Sequence, residues 1–340
     1  MSIDPKAYWQ EEHLEEEFER IFSRSIYVGT SASVRTDGDY VSYRVCGRPF
    51  VTRNLAGTVG TFDNICLHRA NLIDPIGQGN RPFRCGYHGW QYGAGGTLMR
   101  SPLASDKCIS RKQLQSYATV ENRGLVFASI ENDFAGMVPG EAALGAIGFE
   151  MGETFHGETL EHEANWKLLV ENVLESYHLS FVHGDSFVPT GITSTSQFAN
   201  QYHGNDSSFT IASKADSSGK DKVIPGASSD YVHAFVFPNL FISITGGLVG
   251  FVSHFKPETA GRTLLEWQLF ETPLLQSQKT VVRNYIKKNA VEFTRKVLGE
   301  DLVVLNNSQI GSRYARGPHQ IQEIEGRIAQ FHQIYSKMMS

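Results

Sequence analysis

The residues best placed to do chemistry lie between Asn165 and His183, in the stretch NWKLLVENVLESYHLSFVH. Within it Glu175, His178 and His183 form an E-x-x-H-x4-H pattern. One helical turn puts Glu175 and His178 on the same face. His183 falls off the i+4 spacing, so the helix must end or bulge after His178 for both imidazoles to meet at one point. Two imidazoles and a more distant carboxylate are the ligand set of a mononuclear Fe(II) site, with the remaining positions open to dioxygen and substrate. A plain structural His pair has the same local spacing, so the reading depends on what stands upstream.

Upstream stand Cys66-Leu67-His68 and, after sixteen residues, Cys85-Gly86-Tyr87-His88. Two Cys and two His at C-x-H and C-x-x-H suit a Rieske [2Fe–2S] centre, with Cys66 and Cys85 on one iron and His68 and His88 on the other. Each half is short enough to be one loop, so two loops clamp the cluster. A structural Zn(Cys2His2) site uses the same donor atoms. Its usual opening is C-x2-4-C, however, and the flanks NICLHR and CGYHGWQY fit the cluster.

With both motifs present, the chain resembles the terminal oxygenase (alpha) subunit of Rieske non-heme iron oxygenases, from ERIFSRSIYVG to the Asp301 region. The resemblance implies a third iron ligand far downstream, in a helix after a long substrate-binding sheet; GEDLVVLNNSQIG, with Asp301, matches that segment. Asp185 and Glu171 compete for the role. Asp185 is only two residues from His183, which is awkward for joining the same metal face. Glu171, one turn before Glu175, could approach the iron or steer substrate or water. The resemblance makes Glu175 a bridge rather than a ligand, linking His178 to a Rieske His88 of a neighbouring subunit in a homotrimeric ring. A ligating His commonly donates its free N–H to such a carboxylate. Two positions depart from the common pattern: Glu175 replaces an Asp, and Glu171 stands where several dioxygenases have Asn. Glu at the first position resembles a subgroup acting on quaternary amines such as carnitine, choline and betaines.

These features imply hydroxylation or oxidative dealkylation of a small organic substrate. The alternatives are cis-dihydroxylation of an arene and, in a different class, a Rieske electron carrier without oxygen chemistry. The carrier has little use for some 200 residues beyond the cluster module. No NAD fingerprint, flavin motif or second set of cluster cysteines is present. Electrons must therefore come from a separate flavin or ferredoxin-type reductase, and NAD(P)H acts only indirectly.

At 340 residues with 41% apolar and 20% charged content, the composition is that of a globular protein of one or two domains. A net charge of −5 gives a nucleic-acid partner no electrostatic support. No apolar run reaches the ~18 residues of a membrane span. The acidic start MSIDPKAYWQEEHLEEEFER is unlike a targeting peptide. Cys66 and Cys85 go to the cluster, while Cys46 and Cys108 read as buried thiols; this usage suits a reducing cytoplasm.

The elements that must position these residues read as α+β. Residues 4–23 look helical, with an apolar stripe (Tyr8, Leu14, Phe18, Ile21, Phe22) opposite a solvated Glu face. Residues 1–37 are expected to form an N-terminal helix packing on the catalytic domain, 38–132 an all-β cluster module ending in the strand GLVFASIEND, and 133–340 the catalytic domain. Residues 133–164 connect the two. Residues 184–229, rich in Ser, Gly and Asp, suggest a mobile cover over the site. YVHAFVFPNLFISI, GLVGFVSHFKP and RTLLEWQLFETP read as three antiparallel strands; some of Phe235, Phe237, Phe241, Phe251 and Trp267 must face a cavity, and His203 and His233 are candidates to line it. Helices follow at 278–298, 299–311 and 319–338, the last with the stripe Ile321, Ile324, Ile328, Phe331, Tyr335 and Met338. The resemblance implies a helix-grip sheet curved around the substrate.

Overall fold

Three two-residue turns shape the first half of the chain. Cys46-Gly47, Ala56-Gly57 and Arg123-Gly124 all have both central residues at positive φ, as a type I′ hairpin turn requires. In this computed structural model, residues Phe18–Pro139 form one compact unit and Met1–Glu17 with Gly140–Ser340 form another. The structure describes every residue except 1, 104–111, 132, 135, 197, 212–223, 225 and 229. Cys108 and part of the segment expected as a mobile cover (197, 212–223, 225 and 229) therefore lie outside the described residues, while the rest of that segment includes two sheet strands. Cys46, expected as a buried thiol, is half-buried because it occupies a turn.

The Phe18–Pro139 unit contains β1 (Ile26–Thr30), β2 (Asp39–Val45), β3 (Arg48–Leu55), β4 (Thr58–Asp63), β5 (Gly77–Asn80), β6 (Gln91–Tyr92), β7 (Leu98–Arg100), β8 (Ser116–Asn122) and β9 (Leu125–Ser129). Seven of them make one sheet in the order β1-β9-β8-β4-β3-β2-β5, and β6 pairs with β7. Its core holds Val51, Phe62, Phe83, Trp90, Tyr92 and the two cluster-motif cysteines.

In the second unit the N-terminal segment is not one helix. A 3-10 turn (Pro5–Tyr8) and α1 (Glu11–Glu17) belong here, and a π-turn over Phe18–Phe22 begins the other unit. The Glu face expected to be solvated is not uniformly so, because Glu17 is fully buried. The expected connector 133–164 contains α2 (Glu141–Ala146) and β10 (Thr154–His162). Then come α3 (Trp166–Leu174), α4 (Leu179–Val182), β11 (Phe198–His203), β12 (Asp206–Ile211), β13 (Tyr231–Val236), β14 (Leu240–Thr245), β15 (Val249–Thr259) and β16 (Arg262–Glu271). The chain ends with α5 (Pro273–Gln276), α6 (Thr280–Ser312) and α7 (Gly326–Met339).

The catalytic-domain sheet is antiparallel, in the order β10-β16-β15-β14-β13-β12-β11. It has seven strands where three were expected. YVHAFVFPNLFISI splits into β13 and β14 because Pro238 cannot donate to a ladder, and β11, β12 and β10 complete the edges. Gly250 is required where β15 crosses Phe270, since a Cβ there would lie 1.8 Å from the ring. The two helices expected at 278–311 are a single 33-residue helix. Gly299 lies inside it, and one glycine costs only about 1 kcal/mol relative to alanine, too little to stop a helix anchored at both ends.

Buried polar pairs lock the helices together. Glu17 accepts from Trp166 Nε1 at 2.7 Å and Tyr335 Oη at 2.6 Å, and it also pairs with Lys167 Nζ. The Lys167 ammonium lies 5.1–5.5 Å from the ring centroids of Tyr8, Trp166 and Tyr335. Gln309 of α6 takes the Asn165 N–H at 2.8 Å and donates to the Tyr8 carbonyl at 2.8 Å. These contacts tie α1, α3, α6 and α7 into one frame. The C-terminal stripe packs inward through Ile328, Phe331 and Tyr335, while Ile324, ahead of α7, is exposed.

Candidate functional site

Two loops with the same hydrogen-bond pattern carry the cluster motif. Isolated bridges Ile65↔Leu72 and Arg84↔Gln91 close them. In the first, Cys66 N–H donates to Asn71 O (2.9 Å) and Ala70 N–H to Cys66 O (3.0 Å); in the second, Cys85 N–H donates to Trp90 O (2.9 Å) and Gly89 N–H to Cys85 O (3.1 Å). Ala70 and Gly89 both take positive φ at equivalent positions. Asn64 pins the base of the first loop, accepting from the Ile73 and Asp74 N–H groups and donating to Asp74 O and Ser42 Oγ. Beneath it Arg53 and Asp74 make a fully buried ion pair.

The loops leave Cys66 and Cys85 buried and His68 and His88 exposed. The imidazole centroids are 4.5 Å apart, and Trp90 stacks on His68 at 4.8 Å. Burial pushes the Cys66 thiol up, against a lowering hydrogen bond from Tyr92 Oη at 3.2 Å. Two soft sulfur donors inside and two imidazoles outside are the donor set a Rieske cluster needs, one pair for each iron.

The second motif departs from its expected local structure. Helix α3 ends at Leu174, and Glu175 is already extended (φ −128°, ψ 170°). The turn 175–178, not a helical face, brings Glu175 to His178. Glu175 accepts from the His178 ring Nδ1 and from the Tyr177 and His178 backbone N–H groups. Four helical residues follow, and His183 caps them. Its Nδ1 donates to Glu300 Oε2 at 2.7 Å, and Glu300 also accepts from Ser186 Oγ at 2.6 Å. Each histidine thus spends its Nδ1–H on a carboxylate, which leaves the Nε2 lone pair free.

Those lone pairs converge on Asp301 of α6. Its Oδ1 lies 3.1 Å from His183 Nε2 and 3.9 Å from His178 Nε2, is buried, and has no hydrogen-bond partner. Single donor atoms of His178, His183 and Asp301 all fall within 4.8 Å of one another. Three acceptors facing one another are stable only with positive charge between them, so the donor set fits a cation; two imidazoles and one carboxylate suit Fe(II). Burial opposes charge on His183, but Asp301 and Glu300 outweigh it and raise its pKa. Nearby, burial holds His162 neutral, down to about 4, against the field of Asp301.

Neither competitor of Asp301 joins this trio. Asp185 is exposed. Glu171, a candidate to approach the metal, points elsewhere: it accepts from Tyr8 Oη, from His332 Nε2 at 2.9 Å and from His319 Nδ1 at 3.4 Å. Glu300 went unnoticed in the sequence, although its place beside Asp301 was the available signal. Of the two histidines proposed to line a cavity, His203 bonds Ser208 at 2.9 Å and His233 is buried against Arg327. Phe235 and Phe237 pack on Phe331 of α7, which is core, whereas Phe241, Phe251 and Trp267 form a chain of ring contacts.

Residues 24–118 match the Rieske [2Fe–2S] domain. Chlorobenzene dioxygenase subunit alpha of Cupriavidus sp. (strain PS12) is 29% identical over 194 residues, covering 52% of this chain and 42% of the relative. Benzene 1,2-dioxygenase subunit alpha of Pseudomonas putida is 34% identical over 134 residues, 37% of this chain and 30% of the relative. The chain thus spans less than half the length of these curated relatives. Among solved structures, the quaternary ammonium Rieske monooxygenase CntA in complex with gamma-butyrobetaine superposes with a TM-score of 0.80 at 21% identity, covering 100% of this chain and 95% of that one. Residues 149–340 match the catalytic domain of ring hydroxylating alpha subunits, and with more than half its length in that match, the chain belongs to the ring hydroxylating alpha subunit family.

Proposed function

We propose that the chain is the terminal oxygenase of a multicomponent Rieske system, hydroxylating or oxidatively dealkylating a small organic substrate. The observation that carries this is the convergence of His178 Nε2, His183 Nε2 and the unpartnered Asp301 Oδ1 in a chain that also holds the Cys66, His68, Cys85, His88 loops. When bound, the mononuclear iron supplies dioxygen activation and the [2Fe–2S] cluster supplies electrons one at a time. His178, His183 and Asp301 hold the mononuclear ion. Glu175 and Glu300 fix the two imidazole tautomers so that both Nε2 atoms point inward. We assign electron entry to the 38–132 module and oxygen chemistry to residues 133–340. In a homotrimer Glu175 also bridges His178 to His88 of the partner subunit, and a separate reductase in the cytoplasm feeds the cluster. No helix of the described residues is long and apolar enough to cross a membrane.

Monooxygenation is preferred because Glu, not Asp, stands at position 175. The second reading is cis-dihydroxylation of an arene, favoured by the curated dioxygenase relatives. The molecules named for these relatives and for the CntA complex differ in charge: benzene and chlorobenzene are neutral, and gamma-butyrobetaine is zwitterionic. The test is O2 uptake with a surrogate reductase, with 18O incorporation into product separating one inserted oxygen from two. His178→Ala, His183→Ala and Asp301→Ala should each remove one iron per chain and all turnover while the cluster spectrum persists. Full iron and turnover in Asp301→Ala would overturn the ligand set. Glu175→Gln should keep both centres loaded but slow single-turnover oxidation of the reduced cluster.

A further inference from the structure

Arg327 opens α7 with its guanidinium inside the protein; the residue is 2% exposed. Nε donates to Ser207 Oγ at 3.0 Å and Nη1 donates to His233 Nε2. The group lies 5.0 Å over the Phe209 ring. Nη2 is buried with no hydrogen-bond partner. Among the described residues no carboxylate acts on it; the groups that do are the phenols of Tyr202 and Tyr231. Burial pulls the guanidinium down to about 9, which still leaves it a cation near neutrality. Burial and Arg327 together hold His233 well below the ordinary histidine range, so His233 serves as a neutral acceptor. Proteins do not keep a buried charge without a counter-charge unless something else supplies one.

The neighbours of Arg327 connect it to the iron-motif histidines. Phe209 and His233 sit opposite each other on β12 and β13, and Tyr231 shares their face of the sheet. Phe187 touches Tyr231 at 6.3 Å and His183 at 5.4 Å. Leu179 of the iron-motif segment and Phe187, just after it, pack on the cluster of Ile192, Phe209 and Ile211. Among the described residues a chain of ring contacts, Phe209–Tyr231–Phe187–His183, therefore links the Arg327 guanidinium to the His183 imidazole.

We infer that Arg327 and Ser207 form an anion-recognition subsite and that the substrate is a small organic carboxylate. Nη2 offers two N–H donors. Ser207, whose oxygen already accepts from Nε, has its own hydrogen free for the same anion. The aromatic rings suit the apolar body of the molecule. Recognition of the carboxylate stands on Arg327 alone; its placement for oxidation rests on the oxygenase reading above.

The test uses metal-loaded protein and probes that differ only in charge: benzoate against benzamide, and gamma-butyrobetaine against its amide, with acetate, hexanoate and cyclohexanecarboxylate completing the acid panel. Calorimetric titration should show at least one acid binding wild type tenfold or more tighter than its amide. Arg327→Met should reduce that preference to within twofold, and Arg327→Lys should retain part of it. Ligand-free Arg327→Met should melt at or above the wild-type temperature, because an uncompensated charge has been removed. Failure of every acid to bind, an undiminished preference in Arg327→Met, or a clearly lower melting temperature in that variant would each overturn the subsite. Turnover of neutral substrates with equal kcat/KM in wild type and Arg327→Met would remove the subsite and leave the oxygenase standing. Carboxylate binding with no O2 consumption on any substrate would do the reverse.

Discussion

Glu300 offers a sharp test of the mononuclear centre, because it lies next to a proposed ligand and contacts only the outside of the trio. Its Oε2 accepts from His183 Nδ1 at 2.7 Å and from Ser186 Oγ at 2.6 Å. A hydrogen bond to a charged group contributes about 1.5–3 kcal/mol and a neutral one about 1 kcal/mol. Glu300→Gln keeps the length and an acceptor but loses the charge, so roughly 1–2 kcal/mol of support for His183 disappears. At about 1.4 kcal/mol per tenfold, Fe(II) should bind roughly 5- to 30-fold more weakly. Glu300→Ala, which frees the ring to rotate, should approach the ~100-fold upper end for such outer partners. Anaerobic competition of Fe(II) between the protein and a calibrated chelator measures this without turnover, and the cluster absorbance is the internal control. The cluster spectrum should not change, because the cluster loops are built within the Phe18–Pro139 unit, to which Glu300 does not belong. If Glu300→Ala binds Fe(II) as tightly as wild type, the carboxylate does not orient His183 toward a metal, and the tautomer argument fails for His178 as well.

Three further outcomes follow from other contacts. Tyr92 Oη accepts from Leu67 N–H at 3.0 Å, so its own hydrogen is free for Cys66 Sγ at 3.2 Å; Tyr92→Phe removes about 1 kcal/mol of bonding that favours the reduced cluster, so its potential in a redox titration should fall by roughly 40 mV, and an unchanged potential refutes the bond. Glu17→Gln removes the carboxylate of the buried Glu17–Lys167 pair and should cost about 3–5 kcal/mol in urea unfolding, whereas Glu17→Leu with Lys167→Met should recover most of it; a single-variant loss under about 1 kcal/mol would contradict the pairing. Glu171 is pushed up by burial, yet the hydrogen bonds from His319 and His332 win and bring it down to about 2 from 4.5, so its stabilisation is present above pH 4.5 and lost as pH falls toward 2. The same contact raises His319 above 6.5, so that contribution is full below pH 6.5 and lost as pH rises through the raised value. Glu171→Gln should flatten the stability profile at both ends, and a profile parallel to wild type would show that the cluster of Tyr8, Glu171, His319 and His332 carries no such coupling.

The sequence by itself determined the chemistry-bearing loops. C-x-H and C-x-x-H are local: each loop closes on itself through two backbone hydrogen bonds, so spacing alone keeps sulfur inside and imidazole out. The all-β character of the first unit was legible too, but its two-residue turns at Cys46-Gly47, Ala56-Gly57 and Arg123-Gly124 were not, because Cys, Ala and Arg are not residues that favour positive φ. His178 and His183 were legible as a pair, but their geometry was not. The expected helical face does not exist, because α3 stops at Leu174 and a turn positions Glu175. Gly299 suggested a helix end because a local preference of about 1 kcal/mol looks decisive in isolation; tertiary anchoring of α6 by Asp301, Leu305 and Gln309, all buried, overrides it. The tertiary structure alone decided everything that depends on partners distant in sequence. It paired Glu17 with Lys167 across 150 residues and His183 with Glu300 across 117. It turned Glu171 away from the metal trio toward Tyr8, His319 and His332, and it left Arg327 buried without a carboxylate among the described residues. A side chain's charge is written in the sequence, but whether that charge is matched depends on which neighbours folding brings within about 4 Å, where Coulomb and hydrogen-bond energies in a low-dielectric interior become large.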